Sequence, residues 1–224
     1  MLRLYDPRTG KVEELPPTRL LRLHVSGPDL RAYIVTDVVR RLAEHHRRQV
    51  MVSAPAPRDL TTLNIPPMNQ DTSPEADLHV GGATGSGRAV PVGPSGAEPD
   101  LASITGQGLD PLSVRLVTLR RPYREPLELD RSSLEEADDH LRRLRAQVAG
   151  WAQAPSKAIS AVHRAEAVRA LDADLDTPGA LEVLRRLADS DVPPGSKFET
   201  VSALDMLLAL DLVRDVGRPP SAAP

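Results

Sequence analysis

The sequence predicts an α/β plus all-α architecture, in which an α/β half is followed by a helical half. Before residue 108 the apolar segments are short and are separated by Pro- and Gly-rich stretches, as in a sheet with long connections. After residue 108 apolar residues recur at steps of three and four, which is the period of helices that pack on one face. A chain of 224 residues can hold two small domains. We therefore predict a first domain at 1–107, loop-rich over 55–107, a helical domain at 108–220, and a disordered tail at 221–224.

The first domain begins with a predicted hairpin and continues with a strand–helix–strand unit. In the hairpin, two short apolar segments flank the turn DPRTG at Asp6 to Gly10. The unit that follows has room for a right-handed parallel crossover, so we predict a reduced Rossmann-like sheet of the nucleotide-binding type. The predicted strands are Leu2 to Tyr5, Lys11 to Leu15, Leu20 to Val25 and Gln49 to Ser53, and the predicted helix is Leu30 to Arg48.

A glycine-rich segment in the loop-rich stretch, GGATGSGR at Gly81 to Arg88, is a candidate phosphate-binding loop. Backbone N–H groups of such segments can bind phosphate. However, this segment lacks the Gly-Lys-Ser/Thr ending of a P-loop, and a predicted strand follows it where a P-loop has a helix. We therefore interpret it as a flexible hairpin turn.

The second domain begins at Asp110 and Pro111, which are typical of a helix N-terminus. Aspartate can accept an orphan backbone N–H, and proline has no N–H to donate. This helix ends before Pro122, and the later helices each have an apolar face. Short connections between them predict an antiparallel helical bundle of four or five helices. Two of the later helices are predicted to start with capping boxes, Ser132 with Glu135 and Ser196 with Glu199.

Composition excludes several classes of protein. A net charge of −3 argues against a generally basic nucleic-acid-binding protein, so no DNA partner is expected, although a local basic patch remains open. The absence of cysteine excludes disulfides, thiolate metal sites and thiol catalysis. No apolar segment approaches the roughly twenty residues that span a bilayer, and the N-terminus lacks a signal pattern. We expect a cytoplasmic protein with no membrane partner and no metal site.

Several segments resemble cysteinyl-tRNA synthetases, a family of class I aminoacyl-tRNA synthetases. The most specific is GLDPLSVRLVTLRRPYREPLEL, Gly108 to Leu129, which is similar to the segment after the family's second ATP-binding loop. The other segments are LRLYDPRTGKVEEL, RAYIVTDVVRR, DLTTLNIPP, ADLHVGG and ALDADLDTPGAL. The resemblance implies a nucleotide-binding domain joined to a helical domain. The activity that the resemblance implies is that of the family, the ATP-dependent ligation of cysteine to tRNA.

The catalytic signatures of that family have no counterpart at the matching positions. SGPDLRAYIV passes from turn to helix without the HIGH segment, whose histidines stabilise the ATP phosphates in the family. DLASITGQG, Asp100 to Gly108, stands where the family has its KMSKS loop, and it contains no lysine. Ser26 stands where the family has its first zinc-binding cysteine. We therefore expect that the chain does not form cysteinyl-adenylate and holds neither ATP nor zinc.

The resemblance also indicates residues of a former ATP pocket. His79, Gly81 and Gly82 match the glycine-rich loop that approaches the adenosine of ATP in the family. We interpret them as the remnant of that pocket. The alternative for His79 is a purely structural histidine at a strand end.

The resemblance further implies a set of candidate tRNA-binding residues. Arg120, Arg121 and Arg124 lie where the family contacts the inner side of tRNA, and arginines there could neutralise phosphates. Acidic residues are interleaved with the neighbouring arginines of the first bundle helix. An ordinary charged face of the bundle is therefore the alternative.

Three functions remain open from the sequence. The first is a shortened, degenerate cysteinyl-tRNA synthetase-like paralog that binds tRNA or a protein partner such as a functional synthetase. The second is an ATP-dependent ligase that activates cysteine or another amino acid for a tRNA or a small amine acceptor. The third is a decayed gene product that folds but does little.

Overall fold

The computed structural model describes residues 1–27, 29–56, 58–72, 75–82 and 87–218. The tail predicted at 221–224 and the centre of the glycine-rich segment, residues 83–86, lie outside the described residues. The strands are β1 (Arg3–Asp6), β2 (Lys11–Glu14), β3 (Leu20–Val25), β4 (Gln49–Ala54), β5 (Asn69–Gln70), β6 (Leu78–Val80) and β7 (Arg88–Val90). The helices are α1 (Leu30–His45), α2 (Leu101–Gly106), α3 (Leu112–Leu119), α4 (Arg131–Trp151), α5 (Ala161–Asp172), α6 (Thr177–Asp189) and α7 (Pro194–Leu208).

Five strands form one parallel sheet in the order β5-β4-β3-β6-β7. The central strand is β3, in which Leu23 lies opposite Val52 of β4 on one side and Leu78 of β6 on the other. The helix α1 connects β3 to β4, so the predicted parallel strand–helix–strand unit is confirmed. Strands β1 and β2 form a separate antiparallel hairpin. The predicted fold class, a Rossmann-like α/β half followed by helices, is confirmed. The hairpin turn predicted at Gly81 to Arg88 is wrong, because β6 and β7 on either side of it are parallel.

Helix α1 is buried on nearly all sides because it lies between the sheet and the helical half. It contacts β3 and β4, and it also contacts α3 and α7. Its residues Ile34, Val38 and Leu42 are at most 2% exposed, as the predicted apolar face requires. Arg31 and Asp37 of the same helix are at most 1% exposed, although both are charged. Such groups need internal partners, because burial without them costs several kcal/mol.

The end of α1 differs from the prediction, which extended the helix to Arg48. The helix ends at His45, because Arg47 adopts a left-handed conformation with φ of +61°. The Arg48 N–H donates back to the Ala43 carbonyl at 3.0 Å, which satisfies one of the last carbonyls of the helix. The chain can therefore enter β4 directly.

The helical half is built from helices that pack in pairs. Helix α3 packs on α4, α5 packs on α6, and α7 packs on α4 and α5. Of the predicted apolar stripe of α4, Leu134, Ala137, Leu141 and Val148 are at most 5% exposed, whereas Leu144 and Trp151 are half-buried.

The two predicted capping boxes are wrong. The N-cap of α4 is Asp130 and not Ser132, because the Asp130 carboxylate accepts the Ser133 N–H at 2.7 Å. Helix α7 begins at Pro194, so Ser196 lies inside the first turn and donates its hydroxyl to the Ala158 carbonyl, between α4 and α5, at 2.6 Å. Proline suits a first helical position because its missing N–H has no helical acceptor there.

One hydrophobic cluster extends through both halves of the described chain. It includes Leu4 of the hairpin, Leu23 of the sheet, Ile34 of α1, Leu141 of α4 and Leu204 of α7. The sheet and the helices therefore share a core, with α1 between them. The domain boundary at residue 108 stays a prediction.

Candidate functional site at the carboxyl ends of β3 and β6

The order of the sheet places a candidate site between β3 and β6. From β3 the chain proceeds to β4 and β5 on one side, and it then returns to β6 and β7 on the other. Ligands of open parallel sheets bind at the carboxyl ends of the strands where the direction of winding reverses. The residues that follow β3 and β6, Ser26 with Gly27 and Gly81 with Gly82, occupy this position. The predicted remnant of an ATP pocket thus lies at the edge of the sheet that this fold uses for ligands.

Gly81 allows the two strand ends to approach α1 closely. Its φ of +96° is a conformation that favours glycine, and a Cβ at this position would lie 2.9 Å from the Ala32 Cβ. The same Cβ would lie 3.0 Å from the Gly27 backbone nitrogen. The Ser26 N–H donates to the Val80 carbonyl at 2.8 Å, which joins the two strand ends. In this structure, therefore, Gly81 serves a close approach between segments of the chain itself.

Two histidines and two serines form a polar cluster beneath this edge. The rings of His24 and His79 meet edge to face, with centroids 5.8 Å apart. The Nδ1 atom of His24 lies 2.9 Å from the Ser53 Oγ, and the Nδ1 atom of His79 lies 3.3 Å from the Ser26 Oγ. Burial lowers the pKa of His24 and of His79 below the ordinary value, and for His24 the neighbouring imidazole adds to this effect. Both rings are therefore neutral near pH 7 and offer no positive charge to a phosphate.

A carboxylate of the chain lies at the N-terminus of α1. The Leu30 N–H, at the start of this helix, donates to the Glu98 Oε2 at 3.3 Å. The other oxygen of Glu98 forms an ion pair with Arg58. Helix N-termini attract anions through their unpaired N–H groups and the helix dipole. Glu98 takes this position here, and the sequence patterns did not indicate it.

Arg31 connects the site to the segment that carries the most specific resemblance. Its guanidinium donates to the Gly93 carbonyl at 3.1 Å and to the Pro122 carbonyl at 2.8 Å. It also donates to the Glu125 carbonyl. Three backbone acceptors from two segments thus hold this buried cation. RAYIV and PYREP, two of the segments that resemble the family, are therefore joined directly.

The three predicted tRNA-binding arginines differ in their surroundings. Arg120 forms an ion pair with Glu136 at 3.0 Å, and Arg124 forms one with Asp174 at 2.7 Å. The guanidinium of Arg124 also stacks over the Tyr5 ring, 4.4 Å from its centroid. Arg121 is exposed and has no ion pair within the part of the chain that the structure describes. Their role in tRNA binding stays a prediction.

The described residues contain neither a metal-binding cluster nor a membrane-spanning helix. No group of three or more His, Cys, Asp or Glu side chains there could hold a metal ion. None of the helices described is both long and apolar enough to cross a bilayer.

No family model matches the chain. Curated proteins that are similar to it include cysteine–tRNA ligase 1 of Burkholderia lata, 35% identical over 112 residues, and cysteine–tRNA ligase of Paracoccus denitrificans, 36% identical over 89 residues. An L-cysteine:1D-myo-inositol 2-amino-2-deoxy-alpha-D-glucopyranoside ligase of Thermomonospora curvata is 31% identical over 118 residues. The similar regions cover 50%, 40% and 50% of this chain, respectively. They span only 23%, 18% and 28% of these relatives.

These similarities confirm the relationship that the motifs indicated. The chain is cysteinyl-tRNA synthetase-like over about half of its length.

Proposed function

We propose that the chain is a cysteinyl-tRNA synthetase-like protein that does not form cysteinyl-adenylate and acts by binding a partner. The contact between Glu98 and the Leu30 N–H carries this proposal, because it places a carboxylate where an anionic ligand of this fold would bind. This carboxylate, which also pairs with Arg58, already occupies the backbone donor that would receive a phosphate. A phosphate of ATP would have to displace Glu98 from this position.

The connection between β3 and α1 supports the same proposal. Strand β3 ends at Val25 and α1 begins at Leu30, so the connection consists of residues 26–29. The family resemblance places the HIGH segment in this connection. Since His24 and His79 are buried, with lowered pKa values, they do not replace the charge stabilisation that the signature provides.

The segment at the position of the KMSKS loop forms a short capped helix. Leu101–Gly106 forms the helix α2, and the Asp100 carboxylate caps it by accepting the N–H groups of Ala102 and Ser103. No lysine occurs between Asp100 and Gly108. A cation that would stabilise a transferring phosphoryl group is therefore not supplied from this segment.

A titration of the purified protein with ATP and Mg²⁺ tests whether ATP displaces Glu98. We expect no saturable binding up to about 1 mM ATP, the upper end of ordinary substrate affinities. The Glu98→Gln variant serves as a matched comparison, because it keeps the size of the side chain and removes the charge. Saturable binding to the unmodified protein would contradict the proposal, whatever the variant does.

Either tRNA or a protein could be the partner, and two ion pairs weaken the case for tRNA contact by the predicted arginines. The ion pairs of Arg120 and Arg124 neutralise two of the three cations that the resemblance assigns to tRNA contact. Affinity for nucleic acid comes largely from phosphate neutralisation. The relatives that are named cysteine–tRNA ligases nevertheless make tRNA the first nucleic acid to test.

Gel-shift titrations with total tRNA at low and at moderate salt separate the two kinds of partner. We expect no complex at micromolar protein. A complex that weakens at higher salt would indicate that the partner is tRNA and not a protein, provided that Arg121→Glu also weakens it. The control Arg164→Glu on α5 should then leave the complex unchanged. A purified functional cysteinyl-tRNA synthetase, mixed with the chain on a sizing column, tests the protein partner directly.

The second candidate is an ATP-dependent ligase that activates cysteine or another amino acid for a tRNA or a small amine acceptor. The observation in its favour is the similarity to the ligase of Thermomonospora curvata, whose name includes an amino sugar acceptor. This candidate requires ATP binding, so the titration with ATP distinguishes it from the first.

A further inference from the structure

A groove between α3, α4 and α6 lies away from the candidate site at the sheet edge. Its volume is about 390 Å³. Small-molecule sites commonly have volumes of about 300 to 1,000 Å³, an apolar lining and a few polar groups. The floor consists of leucines from all three helices, namely Leu116, Leu144, Leu181 and Leu184. The groove therefore has the size and the lining of a site for a small ligand.

The leucines of the floor are only partly covered by the protein. Leu116 and Leu184 are buried beneath the groove, whereas Leu144 and Leu181 are half-buried along it. On α4, Leu141 and Val148 point into the core, so Leu144 is left on the flank of the apolar stripe. Covering such surface yields roughly 25 cal/mol for each Å² removed from water. An apolar ligand would thus gain free energy by lying along this floor.

One end of the groove is positively charged. Arg120 directly follows α3, and His140 and Arg143 come from α4, where their spacing of three residues puts them on one face. Burial lowers the pKa of His140, and the nearby Arg120 and Arg143 lower this pKa further. Arg143 is exposed and has no ion pair within the described residues, whereas Arg120 already pairs with Glu136 at 3.0 Å. This end can accept an additional anion.

The part of the lining that comes from α6 carries the reverse charge. Arg185 of α6 lies between two carboxylates, 2.6 Å from Glu182 and 2.9 Å from Asp189. These three groups together carry one net negative charge. A carboxylate of a ligand would be attracted to Arg143 and repelled by Glu182 and Asp189.

We propose that this groove binds a small amphipathic carboxylate, a molecule with one apolar chain or ring and a single carboxylate. The apolar part lies on the leucine floor, and the carboxylate lies at Arg143, which has no ion pair within the described residues. The carboxylates of α6 disfavour a ligand with a second carboxylate. The proposal is independent of the ATP site, because none of the residues that line the groove belongs to that site.

Octanoate is the probe for the test, and octylammonium is its matched counterpart with the same chain length and opposite charge. Calorimetric titration of the full chain should give saturable binding of one octanoate, and octylammonium should bind at least about tenfold more weakly, which corresponds to ~1.4 kcal/mol. In methyl NMR spectra of the same samples, octanoate should shift the signals of the leucines of the floor.

Arg143→Glu tests the role of the charged end. Arg143 is exposed, so the substitution should leave the fold intact, and we expect octanoate to bind about tenfold more weakly. The control is Arg164→Glu on α5, which makes the same change in net charge away from the groove and should alter the affinity less than twofold. The proposal is overturned by a lack of saturable octanoate binding, by equal binding of octylammonium, by equal effects of the two variants, or by methyl shifts confined to other leucines.

Discussion

Arg115 and Asp37 form an ion pair in the core, although they are 78 residues apart in the chain. Both side chains are 0% exposed, and the guanidinium lies 2.7 Å from the carboxylate. The remaining N–H groups of Arg115 donate to the Leu63 carbonyl at 3.1 Å and to the Leu208 carbonyl at 2.7 Å. Burial alone would raise the pKa of Asp37, but the surrounding arginines, Arg115 above all, hold this pKa below its ordinary value. The pair thus joins α1 and α3 to the end of α7.

Asp37→Ala should destabilise the protein strongly, because it leaves the Arg115 cation buried with only carbonyl partners. Breaking a buried pair by removing one partner costs about 3–5 kcal/mol. Urea denaturation, monitored by circular dichroism, measures the free energy of unfolding. The control is Asp139→Ala on α4, which removes an exposed carboxylate that has no ion pair among the described residues. A loss for Asp37→Ala below about 1 kcal/mol would show that the pair is not a structural requirement.

Gly81→Ala should also destabilise the protein, since the substitution forces a left-handed alanine whose Cβ would lie 2.9 Å from the Ala32 Cβ. A strained backbone position of this kind costs of order 1–3 kcal/mol. Gly150→Ala on α4 provides the opposite case, because nothing lies within 4 Å of the added Cβ. In a helix this change stabilises by up to about 1 kcal/mol. Thermal unfolding of both variants checks the two signs, and equal melting temperatures would contradict the close approach at Gly81.

At the scale of the elements, the hairpin β1–β2 shows how a local pattern determines structure. The turn DPRTG was predicted, and Gly10 adopts the left-handed φ of +69° that such a turn needs. The carboxylate of Asp6 accepts the Arg8 N–H at 2.9 Å and pairs with the Arg8 guanidinium at 2.8 Å. These contacts with Arg8, above all the side-chain hydrogen bond, lower the pKa of Asp6 to about 2.

The lowered pKa of Asp6 predicts a pH dependence of stability. A carboxyl group whose pKa is about 2 when folded and about 3.9 when unfolded contributes stability above pH 4, and this contribution is lost as the pH falls toward 2. Asp6→Asn should therefore be less stable near neutral pH, and its free energy of unfolding should fall less between pH 4 and pH 2. Urea denaturation at pH steps measures both curves, with Asp139→Asn as the control that follows the unmodified protein. Parallel curves for Asp6→Asn and the unmodified protein would rule out this role of Asp6.

Local patterns located the elements better than they located the ends of helices. Strand β3 was predicted with its observed bounds, because its alternation of apolar and basic residues is a local property. The start of α4 was predicted wrongly, because three residues that can cap a helix, Asp130, Ser132 and Ser133, lie close together. The N-cap in the structure is Asp130. The end of α1 was missed because the left-handed Arg47 has no distinctive signal in the sequence.

At the scale of the whole molecule, the segments that carry the family resemblance contact one another. Asp174 in ALDADLDTPGAL accepts the Tyr5 N–H at 2.8 Å and the Tyr123 hydroxyl at 2.7 Å. It also pairs with Arg124 at 2.7 Å. Burial, with the hydrogen bond to Asp174 in addition, raises the pKa of Tyr123, so the hydroxyl remains a donor at all ordinary pH values. The resemblance therefore coincides with contacts that join the hairpin, the segment after α3 and the helical half.

The candidate site was only partly accessible from the sequence. His79, Gly81 and Gly82 were indicated by the resemblance, and the strand order places them at the edge where ligands of such sheets bind. Glu98 was missed because its contact with Leu30 joins residues 68 positions apart. The groove was missed for the same reason, because the leucines of its floor come from three separate helices. Contacts between distant segments have no local pattern, whereas strands, turns and apolar faces do.

The central claim is that this cysteinyl-tRNA synthetase-like chain does not activate cysteine. The most direct measurement is ATP–pyrophosphate exchange with cysteine, in which labelled pyrophosphate enters ATP only when an aminoacyl-adenylate forms and reverts. A functional cysteine–tRNA ligase serves as the positive control, and a reaction without protein serves as the blank. The account predicts exchange at the level of the blank, and cysteine-dependent exchange above that level would contradict it.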